Sequence, residues 1–84
     1  MSFAFLIRGN DMIEVRLFAT FREGRGKIVY LEPEQVSCAQ EVLDILEIPA
    51  EEVAIFLING FHSKLEDAVK DQDVLAIFPP VGGG

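Results

Sequence analysis

Ile13, Val15, Leu17 and Ala19 alternate with Glu14, Arg16, Phe18 and Thr20, the period of two expected of a half-buried β-strand over Met12 to Thr20. Glu23-Gly24-Arg25-Gly26 supplies a turn, and Lys27 to Leu31 returns as the second arm of a hairpin, with Ile28 and Tyr30 on one face and Val29 and Leu31 on the other. The period then changes. Ser37 with Gln40 three residues on reads as a capping box, and Ala39, Val42, Leu43 and Leu46 form the apolar stripe of a helix running to Glu47, which Pro49 stops. Val53 to Ile58 is an unbroken apolar run, too short for an independent helix and suited to a strand buried on both sides. Asn59-Gly60 closes it, Phe61 to Lys64 is a short return strand, and Leu65 to Lys70 is an irregular connection. Asp71-Gln72-Asp73 turns into a last strand, Val74 to Phe78. The order β-β-α-β-β-β predicts an α+β domain with one helix on one face of a mixed sheet of four to five strands.

With 84 residues, half of them hydrophobic, the chain has room for one core that buries on the order of 60–65% of its unfolded surface. A single cysteine, Cys38, excludes an internal disulfide framework and cannot build a zinc site alone. This favours a cytoplasmic setting, with Cys38 as a small core residue of the helix. A net charge of −7 argues against nucleic-acid binding, because neutralising phosphate needs a basic surface. Ser2 to Ile7 is apolar but lacks the basic region and cleavage site of an export signal, and no segment is expected to span a membrane. Residues 1–11 form an N-terminal extension or an extra edge strand ahead of the domain at 12–81.

Most other clusters read as structure. Gly24-Arg25-Gly26 lies in a hairpin and lacks the Lys-Ser/Thr of a phosphate loop. Arg22, Arg25 and Lys27 make a small basic group at the hairpin tip, solvated or a contact for an acidic partner. His62 has no second histidine or cysteine at ligand spacing, and Asp67, Asp71 and Asp73 are turn formers rather than a calcium loop. No nucleophile is paired with a base, so no catalytic centre and no metal site are expected within the chain.

The chemistry concentrates at the end, Phe78-Pro79-Pro80-Val81-Gly82-Gly83-Gly84. Pro79 and Pro80 have fixed φ and no N–H to donate, so they end the last strand and send the chain outward. Gly82, Gly83 and Gly84 have no Cβ, so this flexible 82–84 tail fits a channel too narrow for side chains and can deliver the Gly84 carboxylate to another protein's active site. Phe78, Pro79, Pro80 and Val81 form an apolar docking group leading to that end, with Phe18, Phe61 and Arg22 as candidate extensions. Alternation alone also allows Phe78 to fill the core, since Val74, Ala76 and Phe78 share a strand face.

Phe18-Ala19-Thr20-Phe21-Arg22-Glu23, Ile58-Asn59-Gly60, Leu65 through Asp73 and the terminal Phe-Pro-Pro-Val-x-Gly-Gly frame residues 12–84. Together with the strand order they resemble the ubiquitin-like β-grasp sulfur carriers. The tail looks most like the small subunit of molybdopterin synthase, and the thiamine-pathway carrier is the other near member. Gln72 stands where the family commonly has Gly. The resemblance implies that an E1-like adenylating enzyme joins the Gly84 carboxylate to AMP from ATP, and that a persulfide donor converts it to a thiocarboxylate. A sulfur-accepting synthase, the molybdopterin synthase large subunit or thiazole synthase, then takes the sulfur. The chain itself is expected to hold no cofactor. A ubiquitin-like modifier joined to lysine through Gly84 is the alternative from another class, and an inert β-grasp interaction module is a third.

Overall fold

The computed structural model describes residues 12–80; Ser2 to Ile7, the proposed 1–11 extension, Val81 and the glycines at 82–84 lie outside them. Five strands, β1 (Ile13–Leu17), β2 (Ile28–Leu31), β3 (Ile55–Ile58), β4 (Phe61–His62) and β5 (Val74–Phe78), join in one sheet of order β2-β1-β5-β3-β4. One helix, α1 (Ala39–Leu46), covers one face. Ile13, Val15 and Leu17 are fully buried, as the alternation predicts. β1 pairs antiparallel with β2, from Ile13↔Leu31 to Arg16↔Ile28, and parallel with β5, from Glu14↔Val74 to Leu17↔Ile77. The first and last strands therefore lie side by side and end together.

Under the helix, Ala39, Val42 and Leu43 meet the same core as Ile13, Val15, Leu17, Phe56, Leu75 and Ile77. Each such aliphatic side chain contributes about 1.5–3 kcal/mol by leaving water. No buried polar side chain interrupts the core among the described residues.

Five local expectations are corrected. The helix starts at Ala39 with Cys38 as N-cap and no side-chain cap bond. The first-turn N–H groups of Ala39 and Gln40 instead donate to the backbone carbonyls of Asp67 and Leu65. Ser37 is thereby freed from capping and donates through its N–H and hydroxyl to Glu41, while Gln40 donates to Asp44. The helix also ends one residue early, because Glu47 takes a left-handed φ of 60° and the Ile48 N–H closes on the Leu43 carbonyl.

β1 stops at Leu17 rather than Thr20. Ala19 enters the left-handed region at φ 55° and opens a 3-10 turn, Ala19–Arg22, which leaves Ala19 exposed and buries Phe21 in its place. β3 is buried on one side rather than two: Phe56 faces the core, but Ile55 stays 38% exposed, because α1 covers only one face of the sheet. The return strand contracts to Phe61–His62, joined to β3 through Asn59-Gly60 at φ 53° and 87°, the paired left-handed conformation of a two-residue hairpin turn.

Candidate functional site

β5 ends where its N–H donors run out. The last bond at this end goes from the Ala54 N–H to the Phe78 carbonyl at 2.8 Å, after which half-buried Pro79 and exposed Pro80 offer no donor to any ladder. Because β1 and β5 are parallel and Leu17 lies opposite Ile77, the next residue of each strand meets the other. The rings of Phe18 and Phe78 stack with centroids 4.2 Å apart and an interplanar angle of 11°. The Arg22 guanidinium lies over Phe18, its carbon 5.4 Å from the ring centroid. Its Nε donates to the Leu17 carbonyl at 2.8 Å, tying the turn after β1 to the strand it leaves.

The reading in which Phe78 fills the core is corrected by this arrangement. Leu75 and Ile77 are the core face of β5, both fully buried, while Val74, Ala76 and Phe78 are only half-buried on the opposite face. The stack thus belongs to the open side of the sheet and forms the base from which the chain departs.

Register shows what else shares that side, since residues directly opposite in neighbouring strands point the same way. Tyr30, Glu14 and Val74 form one row, Ile28, Arg16, Ala76, Leu57 and His62 a second, and Phe78 with Ile55 a third. Tyr30 is 56% exposed and Ile28 44%. With Phe18, this makes a largely apolar face, broken by Glu14, Arg16 and His62, that begins at the tail base and crosses the sheet.

Of the residues singled out in sequence, Phe18, Arg22, Phe78 and Pro79 come together. Phe61 does not join them. It is 75% exposed but pairs with Ile58, which lies opposite Leu75, at the end of β5 away from Phe78. Val81, Gly82, Gly83 and Gly84 lie outside the described residues. The basic group at the hairpin tip is divided: Arg22 serves the tail base, whereas Arg25 donates to the Phe21 and Leu46 carbonyls and so secures the C-terminus of α1. Ile28, Tyr30, Ile55 and Arg16 were missed as site residues. Their signal was present, since β2 and β5 are apolar on both faces and a single helix covers only one.

Among the described residues, no group of three or more His, Cys, Asp or Glu side chains could hold a metal ion, and no helix is long and apolar enough to cross a membrane. What the arrangement provides is a stacked pair of rings where the chain leaves the sheet, beside exposed apolar side chains.

The mixed sheet, the single helix and the parallel pairing of the first and last strands define a ubiquitin-like β-grasp protein. Residues 15–84 match the model of the ThiS family, and the chain belongs to that family, a family of ubiquitin-like sulfur carriers and modifiers. Among solved structures, SAMP1 from Haloferax volcanii is similar at 27% identity with a TM-score of 0.70, over 87% of this chain and 99% of that one. The small archaeal modifier protein 1 from Methanosarcina acetivorans is similar at 27% identity and 0.67, over 88% and 97%. A complex of subunits 1 and 2 of the molybdopterin-converting factor from Helicobacter pylori contains a chain of the same fold, at 24% identity and a TM-score of 0.60, over 87% and 99%. No curated protein matches the chain.

Proposed function

We propose that the chain is a sulfur carrier whose Gly84 carboxylate is activated by a partner enzyme and converted to a thiocarboxylate. The observation that carries this reading is the parallel β1/β5 pairing. It anchors the chain through the Phe18–Phe78 stack at one end of a largely apolar face, four residues before the first of the glycines. A free carboxylate is anionic and has no good leaving group, so it must first attack the α-phosphate of ATP, expelling pyrophosphate and forming an acyl-adenylate. A persulfide sulfur then attacks the carbonyl carbon and AMP departs. A thiol then attacks the donor's own sulfur and breaks the S–S bond that the persulfide brought, forming a disulfide and releasing the thiocarboxylate, a soft nucleophile whose sulfur an acceptor can take while water restores the Gly84 carboxylate.

The division of labour follows from the chain's own residues. The Phe18–Phe78 stack fixes where the tail starts, Pro79 and Pro80 extend it, and Gly82 to Gly84 keep it thin enough to enter a closed site. Partners supply nucleotide binding, persulfide and acceptor. The Phe-Pro-Pro-Val context favours molybdopterin synthesis, with the synthase large subunit as acceptor; the thiamine pathway is the alternative route for the same chemistry. A second reading has its own support in the 27% identity to archaeal modifier proteins: activated Gly84 is joined to a lysine amine. Reconstitution with ATP, the activating enzyme encoded in the same genome and a persulfide donor tests both. Intact mass separates replacement of one oxygen by sulfur from isopeptide linkage.

A further inference from the structure

A partner that covers the open face must also cover a charge. Arg16 stands in the middle of it, flanked by Ile28 in β2 and Ala76 in β5, with the Tyr30, Glu14 and Val74 row on one side and Phe78 with Ile55 on the other. Its side chain is 53% exposed, and its Nε donates to Glu14 Oε2. A guanidinium has five N–H donors in a planar fork, and this bond occupies only the Nε side. The outer edge formed by the two terminal nitrogens has no other acceptor among the described residues. The partner of Arg16 in β5 is the small Ala76.

Seating an apolar surface over Ile28, Tyr30 and Phe78 strips water from those terminal donors, and although Glu14 still balances the charge through Nε, guanidinium N–H groups buried without acceptors cost free energy. A carboxylate is the group that matches both terminal nitrogens at once. We propose that Arg16 is a specificity-determining residue: the partner that docks on this face presents a carboxylate, surrounded by apolar side chains, to its outer edge, while Glu14 holds the guanidinium in place. The net charge of −7 makes this selective. Arg16 and Arg22 give an acidic chain a docking face with a local excess of positive charge, so an acidic apolar patch fits here and is repelled elsewhere. This rests on the reading that the open face docks the tail-activating enzyme.

The test measures binding of the full chain to the activating enzyme from the same genome, by surface-immobilised kinetics at low and high salt. The set is wild type, Arg16→Lys, Arg16→Leu and Tyr30→Ala, with thermal melts confirming that each variant is folded. Leucine is well tolerated on a strand, so Arg16→Leu should melt like wild type. It should bind at least about tenfold more weakly, mainly through faster dissociation, and its affinity should depend less on salt. Arg16→Lys, which keeps the charge but not the fork, should fall between. Arg16→Leu binding as tightly as wild type or tighter, while Tyr30→Ala weakens binding, overturns the carboxylate proposal and leaves the docking face standing. If Tyr30→Ala is also silent, the docking face itself is wrong, and the inference falls with it.

Discussion

The Phe18–Phe78 stack holds the tail base together, and a double-mutant cycle measures it. Truncating a fully buried Phe to Ala costs about 3–5 kcal/mol. Both rings here are half-buried, so each single variant should lose about 2 kcal/mol. At a centroid distance of 4.2 Å in stacked geometry, the pair itself contributes about 1 kcal/mol beyond area burial. That contribution is lost in full with either ring, so Phe18→Ala/Phe78→Ala should be about 3 kcal/mol less stable than wild type rather than about 4. In a domain of this size each single variant then melts roughly 8–16 °C lower. Urea and thermal unfolding of the four proteins give the coupling directly. Strict additivity would mean that the rings do not meet in solution, and a Phe18→Ala variant as stable as wild type would refute the anchoring of the tail by β1.

Three further outcomes are expected. Leu43 is fully buried at the centre of the helix–sheet contact, so Leu43→Asp should bury an unpaired charge, cost roughly 3 kcal/mol or more and largely unfold a domain of marginal stability, visible as lost far-UV circular dichroism. Ala19 holds φ 55° at an exposed position; relief of about 1–2 kcal/mol of left-handed strain in Ala19→Gly outweighs the extra unfolded-state entropy and should raise stability by about 0.5–1 kcal/mol in denaturant titrations. Gly83→Val adds a branched side chain to the tail and should lower kcat/KM for ATP–pyrophosphate exchange without moving the melting temperature.

Much of the fold can be read from periodicity because one helix and one sheet face make one core. The alternation in β1 and the stripe Ala39, Val42, Leu43 name residues that are fully buried, and the uncharged run into Pro79-Pro80 marks where the sheet ends. The early ends of β1 and α1 are local, set by left-handed Ala19 and Glu47, but other misses depend on contacts between distant segments. Ser37 and Gln40 have the spacing of a capping box, but the Leu65 and Asp67 carbonyls reach the helix start first, and no local pattern records that. Val53 to Ile58 looks doubly buried because its sequence is apolar throughout, yet among the described residues no second helix covers Ile55. The same ambiguity hid the docking face. In β5 both sets of alternating residues are apolar, so only the register with β1 shows that Leu75 and Ile77 point inward and Phe78 outward.

Sulfur carriage by Gly84, at the end of the tail beyond Phe78, is open to direct measurement. Its most direct test is the intact mass, with fragmentation of the C-terminal peptide, of the chain after incubation with ATP, the activating enzyme of the same genome and a persulfide donor. Pyrophosphate release should be followed by a mass gain equal to replacing one oxygen with sulfur, confined to Gly84 and absent when Gly84 is deleted. Pyrophosphate release followed only by linkage of Gly84 to lysine would replace sulfur carriage with protein modification, and a chain that is never adenylated would contradict the claim outright.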